Sequence, residues 1–118
     1  MTPALDLDDA LRITPIPFEQ GYGLTAYGEF ERHTAPLCEI AITQMYSTLG
    51  FAHAEQFILD FQGITFLDLG GIDALTRIDT QLESTGARLQ FIAPNARKPR
   101  WLLTHAVGQQ WLSPVFTP

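Results

Sequence analysis

Hydrophobic residues follow two different periods along this chain of 118 residues. Over residues 24–30, mainly apolar residues occupy every second position, and this alternation predicts a strand with one buried face. The alternation is weaker over residues 10–16, where Pro15 and Pro17 predict an edge strand at best. The glycines within residues 19–23 predict a hairpin turn that joins these two strands.

Three further segments have the apolar spacing of amphipathic helices. The first begins near Pro36 and stops at Gly50, the second stops at Gly86, and the third spans residues 99–107. The expected core positions are Leu37, Ile40, Ala41, Met45 and Leu49 in the first helix and Ile72, Leu75, Ile78 and Leu82 in the second.

Two apolar runs predict the remaining strands. Residues 57–61 are almost continuously apolar, which is typical of a strand covered on both faces in a sheet with parallel pairing. Residues 89–93 predict another strand with Leu89, Phe91 and Ala93 on one side. The tail from Gln109 is too apolar to dangle, so we expect it to pack as a short strand or an extended cover.

These elements follow the order β-β-α-β-α-β-α, with an extended tail. Strands that alternate with helices predict an α/β fold, namely a single-domain mixed β-sheet with helices packed on it. The acidic residues 1–9 are expected to form a flexible lead-in, and residues 10–118 are expected to form one domain.

Charge is distributed unevenly along the chain. The formal net charge is −6, and all 13 acidic residues lie between Asp6 and Glu83. The part after Glu83 has no acid and four basic residues, Arg88, Arg97, Lys98 and Arg100. This division predicts an acidic face and a smaller basic one, with a chance split as the alternative. The acidic balance argues against a nucleic-acid partner, which requires a basic surface.

Residues for catalysis or metal binding do not form a recognisable set. The three histidines have no metal-ligand spacing to one another or to Cys38, which is expected to be a small core residue. No serine-hydrolase elbow, Walker lysine motif or dinucleotide-binding glycine motif occurs. We therefore expect no enzymatic activity, no catalytic residue, no metal and no cofactor.

Targeting and membrane segments are also not predicted. No basic stretch precedes an apolar one as in a signal peptide, and no apolar run approaches the roughly 20 residues of a membrane span. We expect a soluble, cytoplasmic protein without direct membrane insertion, either a monomer or a weak homodimer.

The segment LDLGGI, residues 67–72, joins an apolar run to the second helix. Asp68 is expected to cap this helix, because its carboxylate can accept hydrogen bonds from amides of the first turn. Gly70 and Gly71 then fall inside that turn, where each glycine costs about 1 kcal/mol relative to alanine. Close approach of another backbone, a partner that needs a bare helix start, or steric relief at a tight turn would each explain them.

Several motifs, in their order and spacing, resemble the STAS family of sulfate-transporter and anti-sigma-factor-antagonist domains. In that family one strand ends in Gly-Glu-Leu-Asp before Thr-Ala and a helix, and a second strand precedes Asp-Ser-Ser-Gly-Leu at a helix start. The resemblance covers residues 10–110, nearly the whole chain. The matching residues are Gly28 to Glu31, Thr34-Ala35, Asp60, Asp68 to Ile72, Gly86 and Leu89 to Ala93.

The resemblance implies a STAS-like fold and a non-enzymatic partner-switching module. Antagonists of this family bind an anti-sigma factor that is also a serine kinase, and phosphorylation of the serine after the aspartate blocks binding. A phosphate adds about −1.5 to −2 charge at a helix start that must meet the partner. Leu69 occupies this phospho-acceptor position and Gly70 that of the next serine, so the kinase switch is not expected to operate here.

The resemblance also implies a contact face. Leu69 either supplies an apolar contact on this face or folds inward and fills a gap left by Gly70. Asp73 stands four residues before Arg77, which favours an ion pair on an exposed helix face. The predicted contact residues are Glu31, His33, Thr34, Asp68, Leu69, Gly70, Gly71, Asp73 and Arg77.

Several kinds of partner remain compatible with these motifs. The domain is either a constitutive antagonist that binds an anti-sigma factor or serine-kinase-like protein, or a scaffold that binds a transporter component or a signalling complex. A third possibility is nucleotide or small-ligand binding, because Arg97, Lys98 and Arg100 lie where the third helix opens. A basic partner surface is expected for the first two, since four acids surround the contact face: Glu29, Glu31, Asp68 and Asp73.

Overall fold

The computed structural model describes residues 5–7, 10–18, 21–49, 56–110 and 115–117, which form one six-stranded sheet and three helices. The strands are β1 (Leu5–Leu7), β2 (Leu11–Phe18), β3 (Gly21–Phe30), β4 (Gln56–Leu67), β5 (Arg88–Ile92) and β6 (Val115–Thr117). The helices are α1 (Ala35–Leu49), α2 (Leu69–Glu83) and α3 (Arg97–Gly108). The strands lie in the sheet in the order in which they occur along the chain.

The sheet is mixed, as predicted. The pairs β1–β2 and β2–β3 are antiparallel, whereas the pairs β3–β4, β4–β5 and β5–β6 are parallel. Each parallel connection passes through one helix, which confirms the predicted alternation of strands and helices. The tail contains β6, so its prediction as a short strand is correct for Val115–Thr117.

The start of the sheet differs from the prediction. Leu5–Leu7 pairs with Leu11–Ile13, so a strand lies within the segment expected to be a lead-in. β2 is therefore flanked by two strands over these residues and is not an edge there. Pro15 and Pro17 lie beyond Ile13, where β2 has only β3 as a neighbour among the described residues, which is where a sheet tolerates proline.

The hairpin between β2 and β3 is only partly visible. Phe18 pairs with Gly21, and the two residues between them, part of the predicted turn, lie outside the described residues. Gly28 has a φ of +105° and sits at a register shift between β3 and β4. This conformation is unfavourable for a residue with a side chain, so the glycine allows β3 to bend before it ends.

All three helices pack on one face of the sheet. Crossover connections between parallel strands are right-handed. Because each crossover here leads to the next strand in the same direction across the sheet, the three helices lie on the same side. One core cluster joins Ile42 of α1, Ile78 of α2 and Leu103 of α3 to the sheet. Phe30, Phe61 and Phe91 form a row on this face, with ring centroids 5.0 and 5.5 Å apart.

The expectation that residues 57–61 are covered on both faces is wrong. Phe57, Leu59 and Phe61 are fully buried, but Ile58 and Asp60 between them are only half-buried. The reason is that no described helix lies over the second face of the sheet. The nearly continuous apolar run therefore indicates parallel pairing, as predicted, but not burial on both sides.

Helix α1 ends at Leu49, and the predicted stop at Gly50 lies outside the described residues. Its buried stripe is centred on Cys38, and burial raises the pKa of that thiol, with a further contribution from the neighbouring Glu39. Ile40 was predicted in the core but is 51% exposed. Two residues after Cys38, it is rotated by about 200° around the helix, so it faces away from the sheet.

The other two helices follow their predictions closely. The core positions predicted for α2 are buried, and the helix ends at Glu83 with Ser84 as its C-cap, before Gly86. α3 begins at Arg97, two residues earlier than predicted, because Pro99 is tolerated within the first turn of a helix. None of the helices in the described ranges is long and apolar enough to cross a membrane.

Candidate functional site

The first turns of the three helices gather at one edge of the sheet. β3, β4 and β5 run parallel, so their carboxyl ends lie at the same edge, and each is followed directly by a helix. We call this the carboxyl edge; it comprises residues 29–35, 68–73 and 93–98. In open α/β sheets, ligands bind outside the carboxyl ends of the strands, which makes this edge the place to look for a site.

The loop between β3 and α1 is held by a closed set of hydrogen bonds. Oε1 of Glu31 accepts from the backbone amides of His33 and Thr34, each at 2.9 Å. The hydroxyl of Thr34 donates to the carbonyl of Glu29 at 2.6 Å and accepts from the amide of Glu31 at 3.0 Å. The loop therefore presents a fixed shape, and the Glu31 carboxylate stabilises the start of α1.

Asp68 caps α2, as predicted. Its Oδ1 accepts from the amide of Gly71 at 2.8 Å, and its extended backbone precedes the first helical residue. The carboxylate satisfies one of the free amides of the first turn and places a negative charge at the positive end of the helix. Asp68 is half-buried, so its charge still reaches the surface of the carboxyl edge.

The two glycines of α2 are explained by the close approach of the β3–α1 loop. A Cβ atom on Gly70 would lie 2.8 Å from Cβ of Arg32, and one on Gly71 would lie 2.5 Å from the carbonyl oxygen of Phe30. Both distances are too short for a real side chain, so glycine is needed at both positions. Of the three explanations offered by the sequence, the approach of another backbone is therefore the correct one.

Two residues of the predicted contact face are not available to a partner. Thr34 is only 5% exposed, and Gly71 is buried beneath the loop. Thr34 holds the β3–α1 loop in shape through its hydrogen bonds, and Gly71 allows this loop to pack against α2, so neither presents a surface. This corrects the sequence-based assignment, which placed them on the contact face because it could not distinguish a supporting residue from an exposed one.

Leu69 is the first residue of α2 and its side chain is 60% exposed. The alternative in which it folds inward over Gly70 is wrong, because Arg32 occupies the space beside Gly70. His33, Asp73 and Arg77 are exposed as well, while Glu31 and Gly70 are half-buried. His33, Asp68, Leu69, Gly70 and Asp73 thus lie in the β3–α1 loop and the start of α2, whereas Arg77 lies two turns further along the helix.

The predicted ion pair within α2 is replaced by one between helices. Nε of Arg77 donates to Oε1 of Glu39 in α1 at 2.9 Å, where Asp73 was the expected partner. Ile40 follows Glu39 on the exposed side of α1 and lines a shallow groove between α1 and α2. No feature of the sequence distinguishes Ile40 from the buried residues of α1, since it fits the same helical period.

The start of α3 adds a second groove to the carboxyl edge. Its lining consists of Leu67, Arg97, Lys98, Trp101 and Leu102. The third cation of this region is turned away, because Nη1 of Arg100 lies 3.5 Å from the carbonyl oxygen of Pro94. The three basic residues are apparent from the sequence, whereas the exposure of Trp101 is not.

Comparison with solved structures identifies the fold. No family model matches the chain, and no curated protein matches it either. The anti-sigma factor antagonist SpoIIAA in its unphosphorylated form is 16% identical, with a TM-score of 0.63 over 92% of this chain and 88% of that chain. An anti-sigma factor antagonist from Mycobacterium paratuberculosis is 18% identical, with a TM-score of 0.62 over 97% of this chain and 91% of that one.

A third similar structure comes from Shewanella loihica. It is a protein of the DUF3478 family with a SpoIIAA-like fold, 10% identical, with a TM-score of 0.56 over 92% of this chain and 84% of that chain. These likenesses establish that the chain has the SpoIIAA-like α/β fold. The fold implied by the STAS resemblance is therefore confirmed.

Proposed function

We propose that this protein is a non-enzymatic regulatory module that binds a protein partner through the carboxyl edge, in the manner of an anti-sigma factor antagonist. The observation that carries the proposal is the exposed Leu69 at the start of α2, next to the capping carboxylate of Asp68. A partner that covers this exposed apolar side chain would remove it from water, and the polar groups around it would form the rim of the contact. The similarity in fold to two anti-sigma factor antagonists supports the same reading.

The proposed module is permanently competent to bind. Residues 68–73 contain no hydroxyl group, so no kinase can place a phosphate on the first turn of α2. In a switchable relative a phosphate would add negative charge at the interface and oppose binding. Here the charges at the start of α2 are the fixed carboxylates of Asp68 and Asp73, and the binding state does not depend on a kinase acting at this turn.

The chemistry of the edge favours a partner surface that is basic around an apolar centre. The carboxylates within residues 29–35 and 68–73 are Glu29, Glu31, Asp68 and Asp73, and Arg32 is a cation of the same segments, while Glu39 and Arg77 lie further along α1 and α2. One oxygen of Glu31 is bonded within its own loop, and Glu39 is paired with Arg77, so Glu29 and Asp73 are the carboxylates that most directly meet a partner. Both are exposed.

Affinity capture from host lysate tests the proposal. The wild-type chain, attached through its carboxyl terminus, is compared with Leu69→Asp, and retained proteins are identified by mass spectrometry. We expect the wild-type chain alone to retain a regulatory protein, in the cytoplasmic fraction, with elution promoted by salt because the contact is partly electrostatic. An anti-sigma factor or serine-kinase-like protein would identify sigma control, and a transporter subunit would identify the scaffold role.

The same experiment can overturn the proposal. If neither bait retains a regulatory protein or transporter subunit, or if both retain the same proteins equally, the Leu69 surface is not an interface. Circular dichroism of the variant, compared with the wild-type chain, excludes misfolding as the cause of lost binding. Because Leu69 is exposed, its replacement removes little buried surface and should leave the fold intact.

A further inference from the structure

The groove at the start of α3 has a chemistry different from that of the Leu69 surface. We propose that this groove, lined by Leu67, Arg97, Lys98, Trp101 and Leu102, binds an acidic segment of a partner protein that inserts an apolar side chain. The inference goes beyond the proposed function, because it concerns a second surface with its own ligand chemistry. It stands or falls independently of Leu69.

The apolar part of the groove is preorganised for a ligand. The Trp101 side chain is 64% exposed, and its ring stacks on that of His105 with centroids 5.0 Å apart and an interplanar angle of 8°. This stacking fixes the indole, so little conformational freedom is lost when a ligand packs against it. Leu67 is buried and Leu102 half-buried, and together they supply an apolar floor beside the exposed ring.

The charged part of the groove favours a ligand with carboxylate groups. Arg97 and Lys98 are exposed, and neither forms an ion pair with any residue in the described part of the chain. No acidic residue follows Glu83 in the sequence, so α3 itself offers them no partner. Exposed cations next to an exposed aromatic ring match a segment in which acidic residues flank an apolar one.

A membrane surface and a nucleotide fit the groove less well. Lipid-binding basic patches usually contain about four to eight Lys or Arg residues, whereas two exposed cations are present here and the whole chain carries a net charge of −6. A nucleotide site needs polar groups to orient the base. Apart from Arg97 and Lys98, every lining residue is Leu or Trp.

A titration with synthetic peptides, followed by amide chemical shifts of the ¹⁵N-labelled full chain, tests the inference. The probe is the capped peptide Glu-Asp-Leu-Phe-Glu-Asp, and its match without apolar residues is Glu-Asp-Ser-Ser-Glu-Asp. The first peptide should bind saturably with a Kd of about 1 mM, shifting the amides of residues 67, 97, 98 and 100–102. The serine peptide should bind at least about tenfold more weakly, since it has no group for the apolar floor.

Charge-reversed variants show whether the shifts come from this groove. The double variant Arg97→Glu/Lys98→Glu should weaken the first peptide by about tenfold or more, because two attractions become repulsions. Arg88→Glu is the control for a charge reversal elsewhere on the surface, to be compared with Arg97→Glu alone, since Arg88 is also exposed but lies at the start of β5, at the opposite edge of the sheet. It should bind as the wild-type chain does.

Several results would overturn the inference. They are the absence of saturable shifts in this groove, equal affinity for both peptides, or a loss of affinity in the Arg88→Glu control as large as that in the groove variant. Two further titrations use other probes: one uses vesicles that contain phosphatidylglycerol, and the other uses the nucleotide GTP. If either shifts the groove amides at concentrations where the acidic peptide does not, the groove serves a lipid surface or a nucleotide and the peptide assignment is wrong. A failure of this titration leaves the capture experiment with Leu69 unaffected.

Discussion

Arg77 of α2 donates a hydrogen bond of 2.9 Å from Nε to Oε1 of Glu39 in α1 and so joins two of the three helices whose first turns form the carboxyl edge. The side chains remain in contact with water, with relative exposures of 60% for Arg77 and 29% for Glu39. The pair therefore links the exposed faces of the two helices, and it contributes little to the free energy of unfolding.

A double-mutant cycle with Arg77→Ala and Glu39→Ala should give a coupling free energy below about 1 kcal/mol. The physical reason is that solvent screens an exposed pair and ordering two long side chains costs entropy. Urea unfolding of the four proteins measures this coupling. A value well above that limit would mean that the pair is part of the fold's support and that α1 and α2 depend on it for their packing.

Gly71→Ala should be strongly destabilising. The added methyl group would lie 2.5 Å from the carbonyl oxygen of Phe30, so the β3–α1 loop must move away, at a cost of about 1–3 kcal/mol in the free energy of unfolding. Gly108→Ala is the matched control, because nothing lies within 4 Å of its Cβ position at the end of α3. Denaturant unfolding should show a loss for the first variant alone; equal stabilities would show that the loop does not rest on α2.

Thr34 should be required for its hydroxyl rather than its size. Thr34→Val removes the bonds to the carbonyl of Glu29 and the amide of Glu31, leaving polar groups unsatisfied at a cost of about 1–3 kcal/mol. Thr34→Ser keeps the hydroxyl and should retain most of the stability. Thermal unfolding compares the two variants. If valine is tolerated as well as serine, the hydrogen-bond set of the loop does not hold its shape.

Binding should not respond to kinase activity at the start of α2. The wild-type chain is incubated with host extract, with and without ATP, and then titrated against the captured partner. Equal affinities are expected, because residues 68–73 carry no hydroxyl. Intact-mass measurement reports any phosphate added elsewhere. A loss of affinity that accompanies phosphate incorporation would show that this protein is switched at another residue, contrary to the proposal of a permanently competent module.

The sequence predicted most of the fold because its signals are local and periodic. The apolar period of α2 identified its buried positions, and the nearly continuous apolar run of β4 indicated parallel pairing. Where the prediction failed, a distant part of the chain decided the outcome. Leu5–Leu7 forms a strand because β2 offers it a partner, and no period is visible in three residues.

The candidate site was predicted in position but not in the role of each residue. Asp68 was recognisable as a cap because capping depends on the few residues that follow it. Thr34 and Gly71 could not be separated from surface residues. The burial of Gly71 depends on contact with Phe30, which is distant in the sequence, and Thr34 is buried within the loop that follows Phe30. Ile40 was assigned to the core for a related reason, because its apolar character alone does not show which side of α1 it occupies.

The affinity of the captured partner for Leu69→Asp tests the central claim most directly. Thr80→Asp is the matched control, because Thr80 is also exposed on α2 but lies about 16 Å further along the helix. Calorimetric titration should give a Kd at least about tenfold weaker for Leu69→Asp, and a Kd within about twofold of the wild-type value for Thr80→Asp. A folded Leu69→Asp variant that binds as tightly as the wild-type chain would contradict the claim that the start of α2 is the partner surface.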